Sequence, residues 1–346
     1  STTNTCAFNS AQIFIIVLII VNFAFLSTEE RKPKFIIDND AGGDDAMAIF
    51  LALMYEKHFD GPHSPKLLAL TTGNGNTKED NVYHNNQRIL KVAKRQDILI
   101  YRGSKASLVT TPTVDDYYGI DGLGDTGDSY PDLVPAKTEN AVNALIDYSK
   151  TYEGDLIVIT IGTLTNVALA IKLDPAFLSR LNHLYIGAGH IPSDENPSPE
   201  FNAHMDVEAY HVVAQNASPD KVTLIPFSQI KQYLNFSKDW RENDLGAIDT
   251  EIMKAQNKFE KVALNVQPTW QALDPAVVSL FLRPDLVEEY KYSKNDIIVC
   301  GDKRGINTNT FVEKDKANVR IAHSVKTEVY KTFLSNVFAA ELIKDL

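Results

Sequence analysis

The segment Phe35-Ile36-Ile37-Asp38-Asn39-Asp40-Ala41-Gly42-Gly43-Asp44-Asp45 puts four carboxylates within eight residues. Apolar residues flank it, Phe35 to Ile37 before and Ala46 to Ile49 after, so the acids sit where the chain enters a core. Like charges a few Å apart near a protein surface repel by about 1 to 4 kcal/mol per pair, a cost that a bound cation relieves. An all-oxygen donor set in a glycine-containing turn suits a hard ion such as Ca2+ or Mg2+ and offers nothing that selects zinc or copper. The two glycines are expected to let the backbone fold back so that Asp40 and Asp45 converge. Asp44 and Asp45 also have a plainer use, capping and charging the start of the next helix. That use leaves Asp38 and Asp40 without a role.

Elements from elsewhere must complete such a site. After Pro33 short β-branched runs alternate with longer stretches of helical period, which predicts an α/β fold: an open, mostly parallel, Rossmann-like sheet flanked by helices. Strands are expected at Phe35 to Asp38, Leu67 to Thr72, Ile98 to Arg102, Leu156 to Ile161, Leu184 to Ala188, Val222 to Phe227, Ile297 to Cys300 and Val319 to Ala322. Helices are expected at Asp45 to Tyr55, Asn81 to Lys94, Glu139 to Tyr152, Thr165 to Lys172, Val207 to Asn216 and Val325 to Lys344. No internal repeat and no Gly, Pro or Ser-rich linker interrupts residues 33–346, so one domain is the simpler count. In open α/β sheets the ligand crevice lies outside the carboxyl ends of the strands. The loops after Ile37, Thr72, Ile161, Ala188 and Phe227 should therefore share one edge.

The chain has 346 residues, 44% hydrophobic and 23% charged, which excludes a disordered or collagen-like protein. Its formal charge of -11 is the wrong sign for a nucleic-acid partner. Two cysteines, Cys6 and Cys300, are too few for a disulfide scaffold or a thiolate metal site. Ile13 to Leu26 is an apolar run of signal-peptide length, too short to span a bilayer comfortably, and it ends against Glu29, Glu30, Arg31 and Lys32. The expectation is a signal peptide over residues 1–28, a secreted product without a stable membrane anchor, and Cys300 left as a lone thiol. Asn235-Phe236-Ser237 is an acceptable glycosylation sequon, and Asn216-Ala217-Ser218 is weakened by Pro219.

The pattern Asp-x-Asp-x-Gly-x-Asp-Asp-Ala resembles the N-terminal signature of the inosine-uridine nucleoside hydrolase family, which cleaves the N-glycosidic bond of ribonucleosides. Further segments match in order: Thr71 to Asn76 with Asn85, Tyr118 to Gly124, Ile161 to Ala168, Glu200-Phe201-Asn202, and Asp274-Pro275-Ala276. The resemblance implies the nucleoside hydrolase fold, a small-molecule nucleoside as substrate, and a homodimer or homotetramer. It also implies Ca2+ held by Asp40, Asp45, Asp274 and the carbonyl of Ile161. Asp40 would be the general base, Asp44, Asn76, Glu200 and Asn202 would bind ribose hydroxyls, and Asp274 would contact both metal and sugar. A ring of carboxylates agrees with the positive charge that a departing base leaves on the sugar. Singly, each residue has a plainer reading: Asn76 as a turn asparagine, Glu200 and Asn202 as capping groups, Thr163 to Asn166 as a helix cap, Asp274-Pro275 as a helix start.

Three positions depart from the family pattern. Ala41 replaces a common proline, a conservative change for a turn. Leu273 stands where pyrimidine-handling and nonspecific members keep a histidine proposed to protonate the leaving base, and where purine-preferring members carry an aromatic. Leucine donates no proton, and a purine offers N7 as a protonation site open to solvent, so purine nucleosides such as inosine are expected to be favoured. Trp270, Tyr117 and Tyr118 are the aromatics near enough to reach a base, although Trp270 serves equally well as a core residue. The Gly-Asn that relatives carry before the glutamate is missing, which leaves Asn196 as the expected contact to the ribose 5′-hydroxyl. Two other classes stay open: a nucleoside- or ribose-binding protein that keeps the metal and sugar contacts without useful catalysis, and a phosphatase built on the Asp-x-Asp pair. The phosphatase reading leaves Glu200 to Asn202 unused.

Overall fold

The computed structural model describes residues 32–59, 61, 64–114 and 116–343. The expected signal peptide, with Cys6, lies outside the described residues. Nine strands form one sheet: β1 (Lys34–Asn39), β2 (Lys66–Thr72), β3 (Leu99–Tyr101), β4 (Leu156–Thr160), β5 (His183–Gly187), β6 (Val222–Ile225), β9 (Val287–Ile297), β10 (Asn307–Phe311) and β11 (Val319–Val325). A separate two-residue ladder pairs β7 (Phe236–Ser237) with β8 (Thr269–Trp270). The sheet order is β10-β9-β11-β6-β5-β4-β1-β2-β3. From β11 to β3 every pair is parallel, and β9 runs antiparallel to both β11 and β10.

The central strands are buried on both faces, which is why β4 reads Leu-Ile-Val-Ile-Thr without alternation. Two apolar clusters cover the faces. One gathers the Gly43–His58, Leu273–Leu282 and Thr327–Ile343 helices, and the other the Ala141–Thr151, Thr165–Leu173 and Val207–Asn216 helices. The Gly43–His58 helix is buried without a break from Asp45 to Met54, because the two other helices of its layer pack against it.

Strand order reverses between β1 and β4: β2 and β3 lie beyond β1 on one side, β5 and β6 beyond β4 on the other. Such a switch point opens a crevice at the carboxyl ends of the strands. The loops after β1, β2, β4, β5 and β6 leave from that one edge, as expected. The expected strand from Ile297 to Cys300 is corrected: Ile297 is the last residue of β9, which starts at Val287, and β10 follows as its antiparallel partner. The charged run Glu288 to Asp296 hides this pair, since its strands are partly open to water and lack the apolar signature of the parallel core.

Candidate active site

The acidic turn leaves β1 at the switch point and is held by its own backbone. Asp45 accepts N–H bonds from Asp40 (3.1 Å) and Gly42 (2.8 Å), so its carboxylate closes the turn that leads into the Gly43–His58 helix. The left-handed residue is Ala41, with φ 35°, a value closed to proline, so this alanine is not a neutral exchange for the family's common proline. Neither Gly42 nor Gly43 has positive φ; both are small because Tyr118 lies against them. A Cβ on Gly42 would stand 2.5 Å from the Asn76 amide and 2.7 Å from the Tyr118 ring, and one on Gly43 would stand 2.7 Å from that ring. Asn85 fastens the Tyr118 loop to the turn through bonds to the carbonyls of Ala41 (3.1 Å) and Asp121 (2.6 Å).

Asn76, from the loop after β2, clamps two acids together. Its backbone N–H donates to Asp40 Oδ2 (2.8 Å), and its amide donates to Asp40 Oδ1 (3.2 Å) and Asp45 Oδ2 (3.0 Å). Asp274 arrives from the first turn of the Leu273–Leu282 helix, about 230 residues along the chain. Oxygen atoms of Asp44, Asp45 and Asp274 lie within 4.8 Å of one another. Burial and then the neighbouring carboxylates push Asp44 up to about 8 and Asp40 and Asp274 well above the usual carboxylate range. Acids so placed hold protons unless a cation takes their place, and a set of oxygen donors fits a hard divalent ion.

Asp38 belongs to a different structure. It accepts from Thr71 Oγ1 (2.6 Å), Asn166 Nδ2 (2.8 Å) and Thr160 Oγ1 (3.4 Å), which ties β1 to both neighbouring strands, and burial raises it to about 6. Glu200 is the N-cap of the short Phe201–Met205 helix and accepts three backbone N–H bonds, from Gly189 (2.6 Å), Ala203 (2.9 Å) and Asn202 (3.1 Å). Asn202 donates to the carbonyls of Ile161 (3.0 Å) and Gly187 (2.9 Å), joining the ends of β4 and β5. The capping role and a place at the site therefore coexist. Asp44, Asn76, Ile161, Glu200, Asn202 and Asp274 line a pocket of about 290 Å3 together with Tyr117, Phe227, Gln267, Gln271 and Leu273, and Asp40 and Asp45 are not among its lining residues.

Residues 35–332 match the family described as inosine-uridine preferring nucleoside hydrolase. The chain belongs to that family. It is 30% identical over 269 residues to an uncharacterized protein of Schizosaccharomyces pombe, covering 73% of this chain and 81% of that protein. It is 33% identical over 189 residues to a probable uridine nucleosidase 2 of Arabidopsis thaliana, covering 53% of this chain and 56% of that protein, so the match spans about half the length of such curated relatives. A solved plant nucleoside hydrolase superposes with a TM-score of 0.76 at 26% identity, over 90% of this chain and all of that one.

Within this nucleoside hydrolase family member, other expected residues fall elsewhere. Asn196 is not among the pocket-lining residues; its amide group bonds Ser193 Oγ (3.2 Å) and Lys231 Nζ (2.8 Å). Trp270 is a core residue: its indole N–H donates to Glu260 (2.8 Å), and its ring lies near Phe236 and Trp240. Thr163 to Asn166 does not cap the helix that starts at Thr165, which has no side-chain cap; Asn166 instead reaches Asp38, the Thr72 carbonyl and Ser104. His211 pairs with Asp296, and His190 packs beside Phe227, its ring pushed down to about 4 by burial. Phe201 joins the pocket from within the Glu200-Phe201-Asn202 segment, whereas Phe227, Gln267 and Gln271 join it with no local pattern that marks them in the sequence.

Proposed function

We propose that this chain hydrolyses the N-glycosidic bond of ribonucleosides to free base and ribose, with purine nucleosides such as inosine favoured and Ca2+ as its cofactor. The observation that carries this reading is the meeting of the acidic turn after β1 with Asp274 at one pocket, beside the polar groups of Asn76, Glu200 and Asn202. Asp40, Asp45, Asp274 and the Ile161 carbonyl would hold the ion, a donor set of oxygens alone. When bound, the ion would hold a water and lower its pKa. Asp40, its carboxylate oriented by Asn76, would take the proton. Asp44, Glu200 and Asn202 would receive ribose hydroxyls, with Asp274 shared between sugar and ion. Carboxylates around the sugar stabilise the positive charge that builds as the base leaves.

Base release from inosine and from uridine, measured with and without a chelator, tests each part. Hypoxanthine released faster than uracil, with release abolished by chelation and restored by Ca2+, is the expected result. Equal rates overturn the purine preference, and full activity after exhaustive removal of divalent ions overturns the metal. Leu273 in the pocket wall favours one other reading, a nucleoside-binding protein with little turnover. Inosine binding by calorimetry without base release would select it.

Export with loss of residues 1–28 is part of the same proposal. Asn235 is exposed, so secreted material should shift in mass on glycosidase treatment, and unmodified protein retained in cells would count against export. Assembly as a homodimer or homotetramer is proposed from the resemblance, and light scattering reads the mass.

A further inference from the structure

We propose that Glu260 is a positioning residue that holds the two halves of the acid cluster at their working separation, an inference that rests on the metal-dependent reading above. Glu260 lies between the Glu251–Phe259 and Lys261–Val266 helices, buried, and touches both halves. On one side its stem abuts the acidic turn: a Cβ on Gly43 would come within 2.9 Å of Glu260 Cγ. Gln256, one turn earlier, fastens the same spot by donating to the Gly43 carbonyl at 2.7 Å. On the other side Glu260 Oε1 accepts the Trp270 indole N–H at 2.8 Å, four residues before Asp274. The β7–β8 ladder at Phe236 and Trp270 holds that segment from behind.

The carboxylate is itself fixed by charge. Arg241, fully buried at 0% exposure, donates to Glu260 Oε2 through Nε (3.0 Å) and Nη2 (2.5 Å), and its Nη1 donates to Asn257 (2.8 Å). Two guanidinium N–H groups converge on Oε2 while the Trp270 N–H holds Oε1, so both carboxylate oxygens are fixed, which a single ammonium contact would not achieve. The pair also keeps Glu260 from adding an uncompensated negative charge next to Asp44. Arg241 in turn has its charge spent on Glu260 rather than on the cluster. Side chains that hydrogen-bond a metal ligand commonly change metal affinity 10- to 100-fold when altered; Glu260 acts one step further out, through Gly43 and the Trp270 segment, so its effect belongs toward the lower end of that range.

The test is calorimetric titration of the full chain with Ca2+ alone, paired with thermal melts of the chelated and Ca2+-saturated protein, for wild type, Trp270→Phe and Glu260→Gln. Trp270→Phe keeps the ring in the core and removes the N–H, so it is the variant expected to fold. Positioning predicts a Ca2+ dissociation constant weakened about tenfold in Trp270→Phe, more in Glu260→Gln, and a smaller rise in melting temperature on adding Ca2+ than in wild type. Equal loss of melting temperature with and without Ca2+, at unchanged affinity, would make the contact merely structural and overturn the proposal. A wild-type chain that binds no Ca2+ would overturn the metal-dependent reading on which it stands, a result separate from the variants' behaviour.

Discussion

Asp45 spends both carboxylate oxygens on the N–H groups of Asp40 and Gly42 and still faces Asp274. Asparagine there would turn an N–H2 group toward a backbone donor and remove a negative charge from the cluster. Asp45→Asn is expected to lower Ca2+ affinity and kcat/KM by about 100-fold or more, read by calorimetry and base-release rates. Gly75 is equally constrained: a Cβ there would lie 1.7 Å from Asp40 Oδ2, while Gly162 closes the space on another side. Gly75→Ala should therefore displace Asp40 and cost about 100-fold in kcat with KM less affected; unchanged kcat would show that Asp40 is not the base. Residue types and their order were legible before the fold was known, because a carboxylate's chemistry is local. The role of Asp38 was not, since only its neighbours Thr71, Thr160 and Asn166 show that its oxygens point into a strut between strands.

Elements position the site through polar ties between strand ends. Asn166 donates to Asp38 (2.8 Å) and to the Thr72 carbonyl (2.9 Å), and accepts from Ser104 N (3.0 Å), so one side chain joins the ends of β1 and β2 to the loop after β3. Asn166→Ala is expected to cost about 2 to 4 kcal/mol of stability in urea unfolding, because it leaves buried partners unsatisfied. A loss under about 0.5 kcal/mol would mean that water replaces the amide. The parallel strands were readable because burial on both faces demands continuous apolar runs. The β9–β10 pair was not, and of the helix from Leu273 only the start at Asp274-Pro275 was readable. The first is partly solvated and charged, and the second is apolar nearly throughout, so its periodicity gives no face.

At the scale of the whole molecule, the buried acids link proton and metal binding to stability. Asp44 is raised to about 8, and Asp40 and Asp274 are raised well above the ordinary range, against an unfolded value near 4. The chelated folded chain therefore binds more protons than the unfolded chain, and its stability falls as pH rises toward 8. His183 and His190, half-buried and both lowered to about 4, work in the opposite direction only below about 6.5. Melts of chelated protein should thus show a lower melting temperature at pH 8 than at pH 6.5. A Ca2+ concentration fixed at 100 times the dissociation constant measured at pH 8 should add about 2.7 kcal/mol there and less at pH 6.5, where protons compete for the same oxygens, which opposes the fall. A flat or rising profile without metal would mean that the acids are solvated and apart. The amino-acid sequence alone determined the class of chemistry and the sheet edge that carries it, since oxygen donors, glycines and apolar runs act over a few residues. Only the tertiary structure decided that Asp44, Asp45 and Asp274 meet, that Asn196 bonds Ser193 and Lys231 and that Trp270 faces the core. Those outcomes depend on which distant side chains pack together, and spacing along a chain does not encode the direction in which a side chain points.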